Sequence, residues 1–221
     1  MKREFLTTGD GSITIHIPEW NEQYHSKHGA IAEAVHVFIK TGLHYAVEKR
    51  DTKSISILEI GFGTGLNAYL TLQQAIERDW KIDYTGVEGY PVSASEIAQL
   101  NYPSLINASE DEFQILHTSV WEKPSEIHKN FQLRKQKKFF SEIEATSEFD
   151  LIYYDAFGAR VQPELWTEAV FQRMYDALKP KGVLVTYAAK GSVRRAMQTV
   201  GFTTERLPGP PGKREMLRAV K

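Results

Sequence analysis

The chain has no cysteine among its 221 residues. That excludes disulfides, thiolate zinc sites and cysteine nucleophiles together. It also argues against methylation of a pyrimidine at C5, whose usual route adds a cysteine to the ring. Long apolar runs are missing as well. No stretch approaches the roughly 18 residues of a membrane span, and Met1-Lys2-Arg3-Glu4-Phe5 opens without the apolar core of a signal peptide. A soluble cytoplasmic protein is expected. Net charge is small: 27 basic residues against 28 acidic ones give −1, so global charge does not announce nucleic acid. Its distribution is uneven. Residues 181–221 carry nine basic and two acidic residues, +7, which leaves −8 on residues 1–180. Such asymmetry points to one basic face for an anionic partner.

What is present is organised around Ile55-Ser56-Ile57-Leu58-Glu59-Ile60-Gly61-Phe62-Gly63-Thr64-Gly65-Leu66-Asn67. Alternating β-branched and apolar residues read as a buried strand. Three glycines at alternate positions make a turn, and an apolar-periodic helix starts near Leu66. Strand, glycine turn and helix open a nucleotide-binding α/β unit. The pattern is G-x-G-x-G, with Leu66 where a dinucleotide fingerprint has glycine, and there is no G-x-x-x-x-G-K-[ST] phosphate loop. With Glu59 inside the strand, the stretch resembles the first motif of S-adenosyl-L-methionine (SAM) methyltransferases. A nicotinamide dinucleotide and a ligand-free turn are the alternatives.

Length favours a single domain over residues 1–221, with an N-terminal hairpin and helix within 1–48. The hairpin spans Phe5 to Ile17 around Gly9-Asp10-Gly11, and the helix runs from about Ala30 to Val47. His25 and His28 sit in a polar loop with no cysteine or carboxylate neighbour, so they read as surface histidines and no metal site is expected. Ile82 to Glu88 is the second strand, and Glu88 at its carboxyl end is placed to accept hydrogen bonds from ribose hydroxyls. Pro91 starts a helix that reaches about Leu100. Phe113 to Thr118 reads as the third strand, with Ser119 just past it where an acid would meet an adenine amino group. Residues 121–148 read as a polar, partly helical insertion on the ligand edge of the sheet. Phe149 to Tyr154 is the fourth strand, and Asp155 follows at its carboxyl end, where open parallel sheets place their ligands. A helix over Pro163–Leu178, a strand over Gly182–Ala188, a helix over Ser192–Val200 and two closing strands over 202–207 and 214–220 complete the expected fold. It is an α/β, Rossmann-like seven-stranded sheet with helices on both faces.

Several segments together resemble one family, the methyltransferase half of the bifunctional bacterial enzyme MnmC, which finishes 5-methylaminomethyl uridine at the tRNA wobble position. They are Tyr24-x-Ser26 with Gly29 and Glu33; Glu59-x-Gly61-Phe62-Gly63-Thr64-Gly65-Leu66-Asn67; Glu88 with a following aromatic and Pro91; and Asp155-Ala156-Phe157 with Pro163-x-Leu165-Trp166. Gly191-x-Val193-Arg194-Arg195, Gly201-Phe202 and Lys213-Arg214-Glu215-Met216-Leu217 complete the set. The resemblance implies methyl transfer from SAM to the primary amine of 5-aminomethyl-(2-thio)uridine. It implies Asp155 as the catalytic residue and Glu59, Gly61, Gly63, Gly65, Asn67, Glu88 and Ser119 around the cofactor. Tyr24, Ser26, Glu33 and Phe157 would face the substrate base, while Arg194, Arg195, Lys213 and Arg214 hold phosphates of the tRNA anticodon arm. The segments match no oxidase half, so a separate enzyme would supply the aminomethyl group. Gly158-Ala159-Arg160 stands where the family has a more apolar, proline-bearing turn.

Three other readings remain open on the sequence: a small-molecule N- or O-methyltransferase on the same fold, an aminopropyltransferase, and a non-catalytic SAM- or RNA-binding module. Fold alone does not separate them. The basic C-terminal region favours RNA, and an aspartate beside a complete cofactor motif favours catalysis.

Overall fold

A computed structural model describes residues 2–221. At the N-terminus β1 (Glu4–Thr7) and β2 (Ile13–Ile17) form the expected hairpin, and β3 (Glu22–Gln23) adds a third antiparallel strand against His16 and Ile17. The next helix is unbroken but not uniform. α1 (Ala30–Ala34) runs into a π-helical stretch, Val35–His44, and on into α2 (Tyr45–Arg50).

The main sheet begins with β4 (Ser54–Ile60), followed by α3 (Leu66–Glu77), β5 (Lys81–Val87), α4 (Ala94–Ile97), α5 (Tyr102–Ile106) and α6 (Glu110–Thr118). Then come β6 (Pro124–His128), β7 (Phe131–Gln136), β8 (Phe149–Tyr154), α7 (Glu168–Ala177), β9 (Leu178–Thr186), α8 (Gly191–Thr199), β10 (Thr203–Pro208) and β11 (Glu215–Val220). Eight strands lie in the order β10-β11-β9-β8-β4-β5-β7-β6. The five from β9 to β7 are parallel; β6 and β11 run antiparallel to them, and β10, paired antiparallel with β11 at the edge, returns to their direction. The fold is the expected Rossmann-like methyltransferase architecture with one strand more, because β6 pairs on the outer edge of β7.

Both faces of the central strands are covered, which is why they read as near-continuous apolar runs. Ile57, Leu151 and Tyr153 pack with Phe38, Leu43 and Leu72 on one side. Leu58, Ile60, Ile152 and Tyr154 pack with Phe171, Met174 and Met197 on the other. Among the described residues no helix is long and apolar enough to cross a membrane.

Two expected elements are corrected. Residues 113–118, expected as the third strand, belong to α6. Ser109 caps that helix by accepting a hydrogen bond from the Glu112 amide at 3.2 Å, and Glu110, Asp111 and Glu112 fill its first turn. An oxygen acceptor and acids at a helix N-terminus satisfy its free amides and its dipole. Phe113 and Leu116 are buried while Ile115 is exposed, a helical face rather than an alternating one. The third parallel strand is β7, inside the segment 121–148 expected as a partly helical insertion. Its alternation is complete, with Phe131, Leu133 and Lys135 buried between exposed Gln132 and Arg134. A lysine in the third inward position hides the apolar period.

Candidate active site

The carboxyl ends of β4, β5 and β8 open into a cavity of about 920 Å³, near the upper end of the roughly 300–1,000 Å³ of ligand pockets. β4 sits at the switch point of the sheet, with β5 on one side and β8 on the other, so the chain leaves its end and that of β8 in different directions and a crevice results. The N-terminal sheet and the 24–28 loop form the opposite wall, through Ile17, Trp20, Tyr24, Ser26 and His28.

Gly61, Gly63 and Gly65 all have positive φ, at 89°, 50° and 72°. The amides of Gly61 and Phe62 both donate to the Val87 carbonyl at 3.0 Å. Gly61 and Gly63 line the cavity. Gly65 lies behind them against the His117 imidazole, where a Cβ would stand 2.9 Å from the ring. Glu88 holds this loop from the side. Its carboxylate accepts from the Gly63 amide at 3.0 Å and the Tyr90 amide at 2.8 Å.

Asn67, at the start of α3, joins two carboxyl groups. Its Nδ2 donates to Glu59 Oε1 at 3.0 Å and to Asp155 Oδ2 at 2.8 Å. Glu59 is fully buried beneath the cavity and does not line it. Burial pushes its carboxyl well above the usual range, and the Asp155 and Glu88 charges add to this against hydrogen bonding from Tyr84 and Asn67. Tyr84 lies beside it, yet neither the Tyr84 hydroxyl nor Glu59 Oε2 completes a well-formed hydrogen bond among the described residues. Asp155 stands at the cavity wall. Burial raises its carboxyl to about 7, helped by the negative charge of Glu33 and opposed by Asn67 and Lys213. Its own amide donates to the Ile60 carbonyl at 2.9 Å, which ties the end of β8 to β4.

Glu33, buried on α1, accepts the Ser26 amide at 3.1 Å and forms an ion pair with Lys213. Ser26 in turn accepts from the His28 amide. Phe157 stacks edge-on against Tyr24 at 5.1 Å and Trp20 at 5.4 Å, forming an aromatic wall beside Asp155. Six carboxylates and three basic side chains line the cavity. Arg3 pairs with Glu96, Lys213 with Glu33 and Arg160 with Glu22, which leaves Glu88, Asp155 and Glu164 against Lys27. The interior therefore favours cationic occupants.

Not every expected residue lies here. Ser119 is the C-cap of α6, where its hydroxyl donates to the Leu116 carbonyl at 2.9 Å, and it does not line the cavity. Because the third parallel strand is β7, the residues past its end are Phe139, Phe140 and Ser141, and these do line it. The signal in the sequence was the aromatic pair after an alternating stretch. Arg194 and Arg195 lie on α8 and Arg214 is exposed before β11. Of the four expected phosphate ligands only Lys213 lines the cavity, and it points inward. His25, expected at the surface, is buried. Its ring is within hydrogen-bond reach of Thr14, and burial lowers its pKa to about 4.

The family model for S-adenosyl-L-methionine-dependent methyltransferases matches residues 115–221. The chain is 29% identical over 217 residues to the tRNA 5-methylaminomethyl-2-thiouridine biosynthesis bifunctional protein MnmC of Cupriavidus necator, covering 90% of this chain and 32% of that protein. It is 28% identical over 212 residues to the protein of the same name from Pseudomonas paraeruginosa, with the same coverage. The chain thus spans about a third of the length of these relatives. Among solved structures, MnmC2 from Aquifex aeolicus superposes with a TM-score of 0.79 at 25% identity, over 99% of this chain and 70% of that one. Spermidine synthase from Thermotoga maritima, with a TM-score of 0.51 and 15% identity over 100% of this chain and 72% of its own, shares the fold alone.

The site fits SAM, the cofactor named by the matching family model. The glycine loop leaves room for a ligand to lie along the main chain. Glu88 ends β5 beside that loop, and the acid-rich interior suits a sulfonium cation.

Proposed function

We propose that this SAM-dependent methyltransferase acts on the primary amine of 5-aminomethyl-(2-thio)uridine at the wobble position of tRNA. The observation that carries the reading is Asp155 in an acid-rich cavity, flanked by the Tyr24–Phe157–Trp20 wall. That arrangement suits a cationic amine attached to a flat ring, and similarity to the MnmC proteins over nine-tenths of the chain supports it. When bound, SAM supplies the methyl group as an electrophile, the carbon–sulfur electrons leaving with sulfur as the amine forms its new carbon–nitrogen bond. Gly61, Gly63, Asn67 and Glu88 would hold the cofactor, with Glu59 and Gly65 supporting the loop from below.

The chain's own task is to prepare the amine. An alkylamine with a pKa near 10.4 costs about 4–5 kcal/mol to deprotonate at pH 7. Asp155, poised near 7, accepts the ammonium proton and aims the lone pair. Well-aligned reactants lower a barrier by as much as roughly 7–11 kcal/mol, so orientation by Asp155 and the aromatic wall is the larger contribution. Tyr24 and Phe157 stack the unpaired base, with Ser26 and Glu33 shaping the floor. Phosphates of the anticodon arm stay outside the acidic cavity, on Arg194, Arg195 and Arg214. A separate enzyme installs the aminomethyl group, and a tRNA substrate places the work in the cytoplasm.

The test is transfer of labelled methyl to tRNA bearing the wobble aminomethyl group, beside otherwise identical tRNA with plain uridine. Label on the first alone is expected; equal labelling, or none, defeats the proposal. One observation favours the small-molecule alternative: the basic residues of the C-terminal region do not gather at the cavity. Salt separates the two. Each phosphate contact should cost roughly 0.7–0.9 log units of tRNA affinity per tenfold rise in salt, so KM for tRNA should climb steeply. A salt-independent KM would favour the small molecule.

Glu88→Ala should weaken SAM binding by about 1–3 kcal/mol, the cost of leaving buried polar groups unpaired. Glu88→Gln keeps one carbonyl acceptor and should lose less. Unchanged affinity in calorimetry of Glu88→Ala would remove Glu88 from the cofactor site.

A further inference from the structure

Lys213 reads from the sequence as a phosphate ligand, yet the structure turns it inward. The loop that carries it closes on itself, with the Lys213 amide donating to the Pro210 carbonyl at 2.9 Å and the Gly209 amide to the Arg214 carbonyl at 3.1 Å. Gly212 has φ of 83° and lies so close to His28 that a Cβ would overlap the imidazole ring. Only glycine lets the loop press there and present the next side chain to the cavity. The Lys213 ammonium then pairs with Glu33 and lies 3.8 Å from the centre of the Tyr187 ring. Tyr187 is fixed by donating its hydroxyl to the Ala156 carbonyl at 2.8 Å, one residue beyond Asp155.

We propose that Lys213 is a positioning residue of the reaction: clamped between Glu33 and Tyr187, its ammonium balances the Glu33 charge and so keeps Asp155 free to accept the substrate proton near neutral pH. This rests on the reading of Asp155 given above. The titratable groups around Asp155 are Glu33 from α1, Glu59 from β4, Tyr84 from β5, Tyr187 beyond β9 and Lys213 itself. Burial favours the neutral forms of Glu59 and Tyr84, and Glu33 and Lys213 are the pair of opposite charges that bears on Asp155. The Glu33 charge raises the Asp155 carboxyl and Lys213 lowers it.

The test is the pH profile of kcat/KM for methyl transfer, which reports ionisations of the free enzyme. Lys213→Met should move the acid limb up by about one pH unit, the low end of what a nearby opposite charge contributes. Lys213→Arg should leave the limb in place. Glu33→Gln should move it down, and the double variant should return it close to wild type. Opposite signs that cancel are not what a merely structural role would produce. If Lys213→Met fails to fold, Lys213→Gln makes the same change of charge. An unmoved limb in the charge-removing variant, or an upward move in Glu33→Gln, overturns the proposal. Carbon-13 titration of the aspartate carboxyls, with Asp155 assigned through Asp155→Asn, should show the same displacements with no methyl acceptor present. Those displacements together with inert tRNA would defeat the substrate assignment and leave the role of Lys213 standing.

Discussion

Asp155→Asn should cut methyl transfer at least about a hundredfold, the low end of general-base contributions, with cofactor affinity near that of the wild type. The amide keeps the shape of the carboxylate but cannot take a proton from the amine. The surroundings sharpen the expectation. Apart from Asn67, which the new amide oxygen can still accept from, the Asp155 side chain makes no hydrogen bond among the described residues, and the strand end is tied by its backbone amide. The thermodynamic sign also separates catalysis from a loop-capping role. Burial, first, and the Glu33 charge raise the folded-state carboxyl to about 7. The folded protein therefore holds this proton more tightly than the unfolded chain. Stability contributed at Asp155 is full below the ordinary carboxylate range and is lost as pH rises toward 7. Removing the ionisable group should leave Tm at pH 8 unchanged or slightly higher, whereas loss of a capping aspartate would lower it. In the wild type, kcat/KM should rise about tenfold per pH unit below 7 and level off above it. Three measurements decide: single-turnover methyl transfer, SAM affinity and Tm. Near-normal turnover would take Asp155 out of the mechanism.

Gly61→Ala should lower Tm by roughly 6–12 °C and weaken SAM binding at least about tenfold. The residue has φ of 89°, and a Cβ would stand 2.7 Å from the Asp155 carbonyl oxygen. A side chain in left-handed backbone costs roughly 1–2 kcal/mol. The clash adds more, because its target is backbone that cannot retreat without parting β8 from β4, where the Asp155 amide bonds the Ile60 carbonyl. About 3 kcal/mol in all, at roughly 2–4 °C per kcal/mol for a chain of this size, gives the stated range. Gly158→Ala is the control. It has no left-handed backbone, and its nearest neighbour, the Tyr187 hydroxyl, would be at an ordinary 3.7 Å. Both variants are compared by thermal melting and calorimetry. Wild-type behaviour of Gly61→Ala would mean that the loop is not the rigid cradle proposed.

The sequence by itself determined the elements whose signals are local. Backbone that only glycine tolerates marks the turn after β4. Strands buried on both faces show as near-continuous apolar runs at 55–60 and 149–154, broken only by Ser56, Glu59 and Asp150, and the rule that ligands gather at strand carboxyl ends singles out Glu88 and Asp155. Tertiary structure decided the rest. Residues 113–118 carry apolar side chains compatible with either period, and a cap four residues upstream settles them as helix. β7 stays hidden because a lysine fills an inward position, its ammonium donating to the His117 carbonyl of α6. The burial of His25 and the arrival of Phe139 and Phe140 at the cavity depend on which strands become neighbours. So does Lys213, whose partner Glu33 lies 180 residues away: a cation in a basic segment looks like a phosphate ligand until the folded loop turns it onto a buried carboxylate.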